Sequence, residues 1–303
     1  MCEHISGCVQ PRIPRLGLDL DKKIDALTEG FFAVPIQKNG KRLVGVIGLG
    51  SVGRALSSVM GYFHNVIGYD ILGEHDWNPI LSCEAVFICV QTPEGSDGRL
   101  DCSHVHAVLE RLKKDRYEGT VVIKSTLRVG FMNTATIKYP DLKLVYSPEF
   151  MSEKNAFLWT ANPDRIVISG QEELMDHVQK LYYWVENAKI IRTDFKSAEI
   201  GKLAHNALIA LKVTFTNTME QISKSYGASA DDVMKIVYTD RRVANSAHFL
   251  PYKGPYGGKC VPKDTSELIN AFAEMTQLLR VADDINNSLT LSKEAMNQEL
   301  ESE

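Results

Sequence analysis

Short apolar runs and periodic helical stretches alternate along most of this chain of 303 residues. Apolar runs of four to six residues are typical of strands buried on both faces, and apolar residues every three or four positions are typical of helices. The predicted strands are 43–47, 66–69, 85–90, 120–124, 142–146, 165–169 and 189–192, and the helices between them include 54–60, 103–114 and 171–185. This alternation predicts an α/β fold with a doubly wound, mostly parallel sheet covered by helices.

The pattern changes after Asp194, where the strands stop. Residues 197–226 contain no proline and one internal glycine and predict one long helix, and 230–238 and 265–298 are also predicted to be helical. The sequence therefore divides into an N-terminal extension at 1–40, an α/β domain at 41–195 and an all-α domain with a long central helix at 196–303.

The long helix carries an apolar stripe. Ala204, Leu208, Leu211 and Phe215 follow three- and four-residue steps and share one face. Because one chain of this length offers this face few partners, the stripe predicts a homodimer through the long helix. Packing of the stripe within its own domain is the alternative.

Composition narrows the classes of protein further. Hydrophobic residues make up 44% of the chain and charged residues 24%, with a net charge of −4. This balance predicts no nucleic-acid partner, and no apolar stretch reaches the ~18 residues of a membrane span. Six cysteines without a CxxC pair, and no apolar leader, predict a cytoplasmic protein without a metal site. A metal at Cys2, His4 and Cys8 is the less favoured alternative.

A glycine-rich turn provides the first candidate chemistry. Gly48, Gly50 and Gly53 lie between the first strand and the helix that follows. In a Rossmann-type fold the first glycine makes the tight turn, the second lets the backbone approach a pyrophosphate, and the third lets helix and strand pack closely. Asp70 ends the second strand, where a carboxylate accepts hydrogen bonds from ribose and repels a 2′-phosphate. The pattern predicts a Rossmann-type domain that prefers NAD to NADP; a glycine turn without a ligand is the alternative.

Two spacings in the α-domain add candidate catalytic residues. Lys202 and Asn206 are four residues apart and share a face of the long helix. Cys260 lies just before a predicted helix, between two lysines, and a helix N-terminus with nearby cations lowers the pKa of a thiol and makes it nucleophilic. Asp264, four residues on, can orient a water or a base. A solvated helix face and a small buried cysteine in a packing loop are the alternatives.

Several motifs in order resemble one enzyme family. They are GLGSVG with Asp70, VQTPEGSDGRLDCSHV at 90–105, KST at 124–126, YSPEFMSE at 146–153, NPDRIVISG at 162–170, AEIGKLAHNALIALKVTFTN at 198–217 and GPYGGKCVPKD at 254–264. From about Lys41 to about Asn287 the chain resembles the UDP-glucose/GDP-mannose dehydrogenase family. Members oxidise the primary alcohol of a nucleotide sugar to a carboxylate with two NAD. The resemblance implies NAD as cofactor, a nucleotide-sugar substrate such as UDP-glucose, and a role in polysaccharide biosynthesis.

The resemblance also implies roles for individual residues. Cys260 is the implied nucleophile, Lys202 and Asn206 stabilise oxyanions, and Asp264 works with Lys202 on water. Glu153 is a candidate base for thioester hydrolysis. The implied catalytic set is completed by Glu149, which flanks the site, and Thr126, near the nicotinamide. The implied cofactor-binding residues are Gly48, Gly50, Ser51, Val52, Gly53, Asp70, Thr92, Thr126 and Glu153. The implied substrate-binding residues are Glu149, Phe150, Lys202, Asn206, Tyr256, Gly257 and Arg242, the last reaching into the site of a second subunit.

The sequence departs from the family pattern in places. The family continues into a C-terminal nucleotide-binding domain, whereas this sequence ends at Glu303, so a member without that domain is expected. The proline pair after KST is replaced by LRVG at 127–130. Three functions remain open: four-electron oxidation of UDP-glucose to UDP-glucuronate through a Cys260 thiohemiacetal and thioester, a two-electron β-hydroxyacid-type dehydrogenase that needs no cysteine, and a non-catalytic dinucleotide-binding dimer.

Overall fold

The computed structural model describes residues 41–185, 188–239, 254–271, 273 and 276–302. They belong to two compact units. Of the described residues, the first unit contains those up to Val90 and those within Leu112–Lys124 and Asp141–Thr193, and the second contains those within Gln91–Arg111 and Ser125–Pro140 and those from Asp194 onward. The expectations for the extension 1–40, with its cysteines and His4, and for Arg242 lie outside the described residues.

The first unit is built on a sheet. Its described strands are β1 (Leu43–Ile47), β2 (Asn65–Tyr69), β3 (Ala85–Ile88), β4 (Thr120–Ile123), β5 (Lys143–Tyr146), β6 (Arg165–Ser169) and β7 (Lys189–Thr193). They lie in the order β2-β1-β3-β4-β5-β6-β7, and neighbours are parallel except β5 and β6. The predicted mostly parallel, doubly wound sheet is confirmed.

Helices alternate with the strands as far as β7, and the described elements after β7 are all helices. The described α-helices are α1 (Ser51–Phe63), α2 (Ser103–Lys114), α3 (Phe131–Lys138), α4 (Ala156–Ala161), α5 (Glu172–Leu181), α6 (Phe195–Tyr226), α7 (Ala230–Thr239), α8 (Val261–Ala271) and α9 (Gln277–Ser302). In the first unit, Leu56 and Met60 of α1 pack with Val46 and Phe87 of the sheet in one buried core. Each such side chain stabilises the fold by about 1.5–3 kcal/mol, and this core fixes α1 against the carboxyl edge of β1.

The long helix α6 is defined by a cap at each end. At its start, Asp194 Oδ1 accepts the N–H of Ser197 at 3.0 Å. At its end, Gly227 takes a left-handed conformation with φ of 68°. The predicted long helix is confirmed, and it begins two residues earlier than its spacing indicated.

The stretch 265–298, predicted to be helical, contains two helices in the structure, α8 and α9. Thr276 precedes α9, and its carbonyl accepts the N–H of Arg280 at 3.0 Å. Its hydroxyl donates to the carbonyl oxygen of Ile269 at 3.3 Å. Threonine is favoured at helix starts, but without a nearby glycine or proline the sequence pattern does not mark the break.

Candidate functional site

The glycine turn follows β1 at the carboxyl edge of the sheet. Gly48 has φ of 92°, a conformation that residues with side chains rarely adopt. A Cβ at Gly53 would overlap the carbonyl oxygen of Gly48, so the turn and α1 are in direct contact. A Cβ at Gly50 would meet no atom within 4 Å. The turn therefore combines tight packing at Gly48 and Gly53 with open space at Gly50, as a pyrophosphate site requires.

Asp70 lies beside this turn, just after β2. Its Oδ2 accepts the N–H of Leu49 at 2.6 Å, and its Oδ1 accepts the N–H of Leu72 at 2.9 Å. The bond from Leu72 and then the bond from Leu49 hold the pKa of Asp70 below its ordinary value. The carboxylate is thus ionised at neutral pH and fixed in position, where it favours a ribose diol over a ribose phosphate.

The segment after β5 brings three further predicted residues to the first unit. Ser51 Oγ donates to Glu153 Oε1 at 3.0 Å, which ties the segment to the first residue of α1. Glu149 and Phe150 line a cavity of about 60 Å³ together with Val52 of α1. The guanidinium carbon of Arg165 lies 4.1 Å from the centre of the Phe150 ring, within cation–π range.

In the second unit, Cys260 lies immediately before Val261, the first residue of α8, and is exposed. Its carbonyl accepts the N–H of Asp264 at 3.0 Å, as at the start of a regular helix. A helix N-terminus carries partial positive charge and favours a thiolate. The exposure of Cys260 disagrees with a small cysteine buried in a packing loop.

Asp264 joins α8 to α6. Its side chain is fully buried, and Oδ2 accepts a short hydrogen bond from Asn206 Nδ2. The other oxygen, Oδ1, lies 2.5 Å from Lys263 Nζ. Lys202, one turn before Asn206, is also buried. This face of α6 is therefore not solvated at Lys202 and Asn206, and Asn206 bonds to a carboxylate that lies one helical turn after Cys260.

Among the buried or half-buried polar residues of the second unit, Glu199, Glu267 and Arg128 were not among the predicted site residues. Glu199 lies on α6 three residues before Lys202, and this helical spacing is the one signal in the sequence that pointed to it. Burial raises the pKa of Glu199 above its ordinary value, against the opposing effect of two backbone N–H donors. No spacing in the sequence connects Glu267 or Arg128 with the other predicted residues.

The remaining predicted residues lie in varied surroundings. Thr92 is buried, Thr126 is half-buried and Gly257 is exposed. The Tyr256 hydroxyl donates to Asp283 Oδ1 at 2.7 Å, so this side chain is held by α9. No helix in the described part of the chain is long and apolar enough to span a bilayer. The same residues contain no group of three or more His, Cys, Asp or Glu that could hold a metal ion.

The glycine turn and Asp70 on a mostly parallel sheet define the class of Rossmann-type dinucleotide-binding proteins. The NAD-binding domain of the UDP-glucose/GDP-mannose dehydrogenase family matches residues 72–186, and the central domain of that family matches residues 196–288. The chain therefore belongs to the UDP-glucose/GDP-mannose dehydrogenase family, and its cofactor is NAD.

Individual relatives agree with the family match. A UDP-glucose 6-dehydrogenase of Pseudomonas aeruginosa is 30% identical over 221 residues, which are 67% of this chain and 48% of the relative. The chain spans about half the length of the curated relatives it matches. A solved UDP-glucose dehydrogenase from the archaeon Pyrobaculum islandicum is 25% identical with a TM-score of 0.73, covering 84% of this chain and 70% of that one. Mycobacterium tuberculosis 3-hydroxyisobutyrate dehydrogenase shares the fold, with a TM-score of 0.61 at 15% identity over 82% of this chain and 94% of that one.

Proposed function

We propose that this protein oxidises the primary alcohol of a nucleotide sugar to a carboxylate with NAD, and that UDP-glucose, converted to UDP-glucuronate, is its substrate. One observation carries the proposal: Cys260 is exposed at the start of α8, one helical turn from a buried Asp264 that is bonded to Asn206. A thiol is the group that distinguishes four-electron from two-electron oxidation, because only the former needs a covalent holder. Membership of the family and the names of the relatives support the same substrate class.

The glycine turn and Asp70 would hold NAD, which supplies hydride acceptance when bound. The balanced reaction consumes one alcohol, two NAD⁺ and one water, and it forms one carboxylate, two NADH and three protons. After the alcohol has become an aldehyde, the Cys260 thiolate forms a C–S bond to the aldehyde carbon, and the carbonyl oxygen takes up a proton. The thiohemiacetal loses a hydride and its hydroxyl proton and becomes a thioester. Water then attacks the thioester carbon, the C–S bond breaks, and the thiol returns.

Each of these additions places negative charge on the former carbonyl oxygen. Lys202 and the Asn206 amide would stabilise that oxyanion, because a charged and a neutral donor fixed in a buried place need no reorganisation when the charge develops. Asp264 fixes the Asn206 amide group and would orient the attacking water with Lys202. Glu153 would accept the proton of that water. Glu149, Phe150 and Tyr256 would contact the sugar nucleotide, and Thr92 and Thr126 would contact the cofactor.

We further propose a homodimer through α6. Leu208 and Phe215 of the predicted stripe are exposed. With the exposed Ile200 and Ile222 they recur at eight- and seven-residue steps and form one stripe along the helix. Leu208→Glu should weaken self-association at least about tenfold in sedimentation at micromolar concentration. The control is Ile236→Glu at an exposed position of α7, which should not change it. A wild-type monomer would contradict the dimer.

We also propose a cellular setting that suits the same chemistry. Cys83, Cys89 and Cys102 are buried thiols, not disulfides, and the proposed nucleophile must be reduced to react. These features support a place in the reducing cytoplasm.

The decisive experiment counts NADH formed per molecule of substrate consumed. UDP-glucose, GDP-mannose, UDP-N-acetylmannosamine and 3-hydroxyisobutyrate are each supplied with excess NAD, and products are identified by mass spectrometry. Two NADH and a uronic acid support the proposal. One NADH from the hydroxy acid would support a two-electron dehydrogenase. The buried Lys202 and Asn206 are compatible with this alternative, because a two-electron oxidation needs no cysteine. NAD binding without any NADH would support a non-catalytic dimer.

A further inference from the structure

Four segments of the second unit carry the residues proposed for chemistry. Thr92 lies in segment 91–101 and Thr126 in segment 125–132. Lys202 and Asn206 lie on α6, and Cys260 directly precedes α8. These segments are far apart in sequence, so long-range contacts must set their relative positions.

The first link joins α6 to segment 125–132. Glu199 is 1% exposed, and its two oxygens accept the N–H groups of Gly130 and Met132, each at 2.7 Å. The carboxylate thus holds the start of α3 and the backbone that follows Thr126. Two charge-assisted bonds to backbone are stronger than neutral ones and restrict the segment in two directions.

The second and third links meet at the peptide groups of Leu100, in segment 91–101. Arg128 Nε donates to the Leu100 carbonyl oxygen at 2.9 Å, and Arg128 Nη2 donates to the same oxygen. The Leu100 N–H donates to Glu267 Oε2 on α8 at 2.8 Å. Glu267 is fully buried, and its other oxygen lies 3.1 Å from Arg99 Nη2. Segment 91–101 is therefore held from one side by segment 125–132 and from the other by α8.

The fourth link is the bond between Asn206 and Asp264, which returns from α8 to α6. Together the links run from α6 through Glu199, Arg128, Leu100, Glu267 and Asp264 back to α6. We call this closed circuit the polar ring. In the closed ring every segment is restrained from two sides, whereas one broken link leaves the two segments that it joined restrained from one side only.

We propose that Glu199, Arg128 and Glu267 are positioning residues that close the polar ring and so set the placement of Thr126, Lys202 and Cys260. The effect of the ring on catalysis rests on the proposed function. Arg128 lies in the stretch that replaces the proline pair of the family pattern, so this link belongs to the present sequence. Buried carboxylates strongly favour the arrangement in which their donors remain paired, which keeps the ring closed.

The kinetic test opens the ring at two separate links. Arg128→Met should lower kcat by about 10- to 100-fold, because small displacements of reacting groups have effects of that order. Arg128→Lys retains one donor and should recover part of the loss. Glu267→Gln should also lower kcat, and the double variant Arg128→Met with Glu267→Gln should be no worse than the poorer single variant within about threefold, because residues acting as one unit are not additive. Losses that multiply would overturn the ring.

A second measurement is independent of activity. Amide hydrogen exchange of Arg128→Met, without substrate, should be at least about tenfold faster at Met132 and at Asp264, which lie on other links of the ring. Arg280→Met replaces an exposed arginine of α9 and should leave exchange at both amides unchanged. Acceleration confined to residues 97–101 would overturn the proposal. If Arg128→Met does not fold, Arg128→Lys and Glu267→Gln provide the same comparison.

The two measurements separate this proposal from the proposed function. If the wild-type protein forms no NADH with any substrate, the proposed function fails and hydrogen exchange alone decides the ring. If NADH forms but the two variants act independently in kcat and exchange, the ring fails and the function stands.

Discussion

The glycine turn and the Cys260 region are held together by different parts of the chain. At the turn, backbone groups make the decisive bonds: the Gly48 N–H donates to the Tyr69 carbonyl oxygen at 2.8 Å, and Asp70 accepts two backbone N–H groups. Around Cys260, side chains join segments that are 58 to 168 residues apart in sequence. A short sequence motif is enough to specify local backbone geometry, whereas a network of side chains from distant segments forms only when the second unit folds.

The difference predicts how each region responds to substitution. In the first, a change that leaves the backbone alone removes only a ligand contact, whereas an added Cβ at the wrong glycine disturbs the turn itself. In the second, the polar groups are buried, so removing one partner leaves another without its bond at a cost of about 1–3 kcal/mol. The predictions below test this contrast, from the largest expected effect to the smallest.

Cys260→Ser should have the largest effect. A serine hydroxyl has a much higher pKa than a thiol and is a poor nucleophile at neutral pH, so formation of the acid should fall by about 10³-fold or more. NAD affinity, measured by fluorescence titration, should stay within about threefold of wild type, since the glycine turn is unchanged.

The matched control is Cys102→Ser, at a buried cysteine of the same unit, which should retain acid formation. Iodoacetamide should modify Cys260 faster than Cys83 or Cys89. Burial raises the pKa of Cys83 to about 11 and that of Cys89 to about 12, which keeps both as unreactive thiols. Near wild-type turnover of Cys260→Ser would eliminate the covalent mechanism.

Gly53→Ala should be next in size. The new methyl group would overlap the Gly48 carbonyl oxygen, so α1 must move away from the turn, and NAD affinity should fall by about 100-fold or the protein should lose several kcal/mol of stability. Gly61→Ala is the control on the same helix, where a Cβ meets no atom within 4 Å. It should raise the free energy of unfolding by about 0.5–1 kcal/mol. Equal behaviour of the two variants in denaturant unfolding would contradict the close packing at Gly53.

The glycine turn and the Cys260 region also differ in how far the sequence could predict them. The glycine spacing and Asp70 specify local geometry, and the strand and helix pattern specifies the sheet and the long helix, so these features follow from periodicity and steric rules. The polar ring does not, because the partner of Glu267 is 167 residues away and no repeating pattern connects them. The sequence pattern did not show the break between α8 and α9 for a related reason. A threonine can lie within a continuous helix as well as before one, and only contacts made in the folded protein determine which of the two occurs.

Asp70→Asn tests the charge at the turn without removing its oxygen acceptor. NAD affinity should fall by about 10-fold, and the preference for NAD over NADP should shrink, because a neutral amide no longer repels a 2′-phosphate. The pKa of Asp70 is lowered in the folded protein. The stabilisation from its carboxylate is therefore present above the ordinary value near 4 and is lost as the pH falls through the lower folded value.

Isothermal titration of both cofactors between pH 5 and 8 checks this prediction. The wild-type protein should show no change in NAD affinity that depends on Asp70 in this range, since the group remains ionised throughout. Equal affinity of the wild-type protein for NAD and NADP would refute the role of Asp70.

Ser51→Ala should have the smallest effect and so sets the lower end of the contrast. The bond from Ser51 Oγ to Glu153 Oε1 is exposed to water, and water can replace either partner when the hydroxyl is removed. The backbone N–H groups at the start of α1 remain, so NAD affinity should fall by no more than about threefold. Asn206→Ala removes one bond as well, but it takes the Asn206 donor from Oδ2 of the fully buried Asp264 and should reduce turnover far more. Measuring stability, NAD affinity and kcat for both variants compares the loss of an exposed side-chain bond with the loss of a buried one. A larger loss of turnover in Ser51→Ala than in Asn206→Ala would contradict the difference proposed between the two regions.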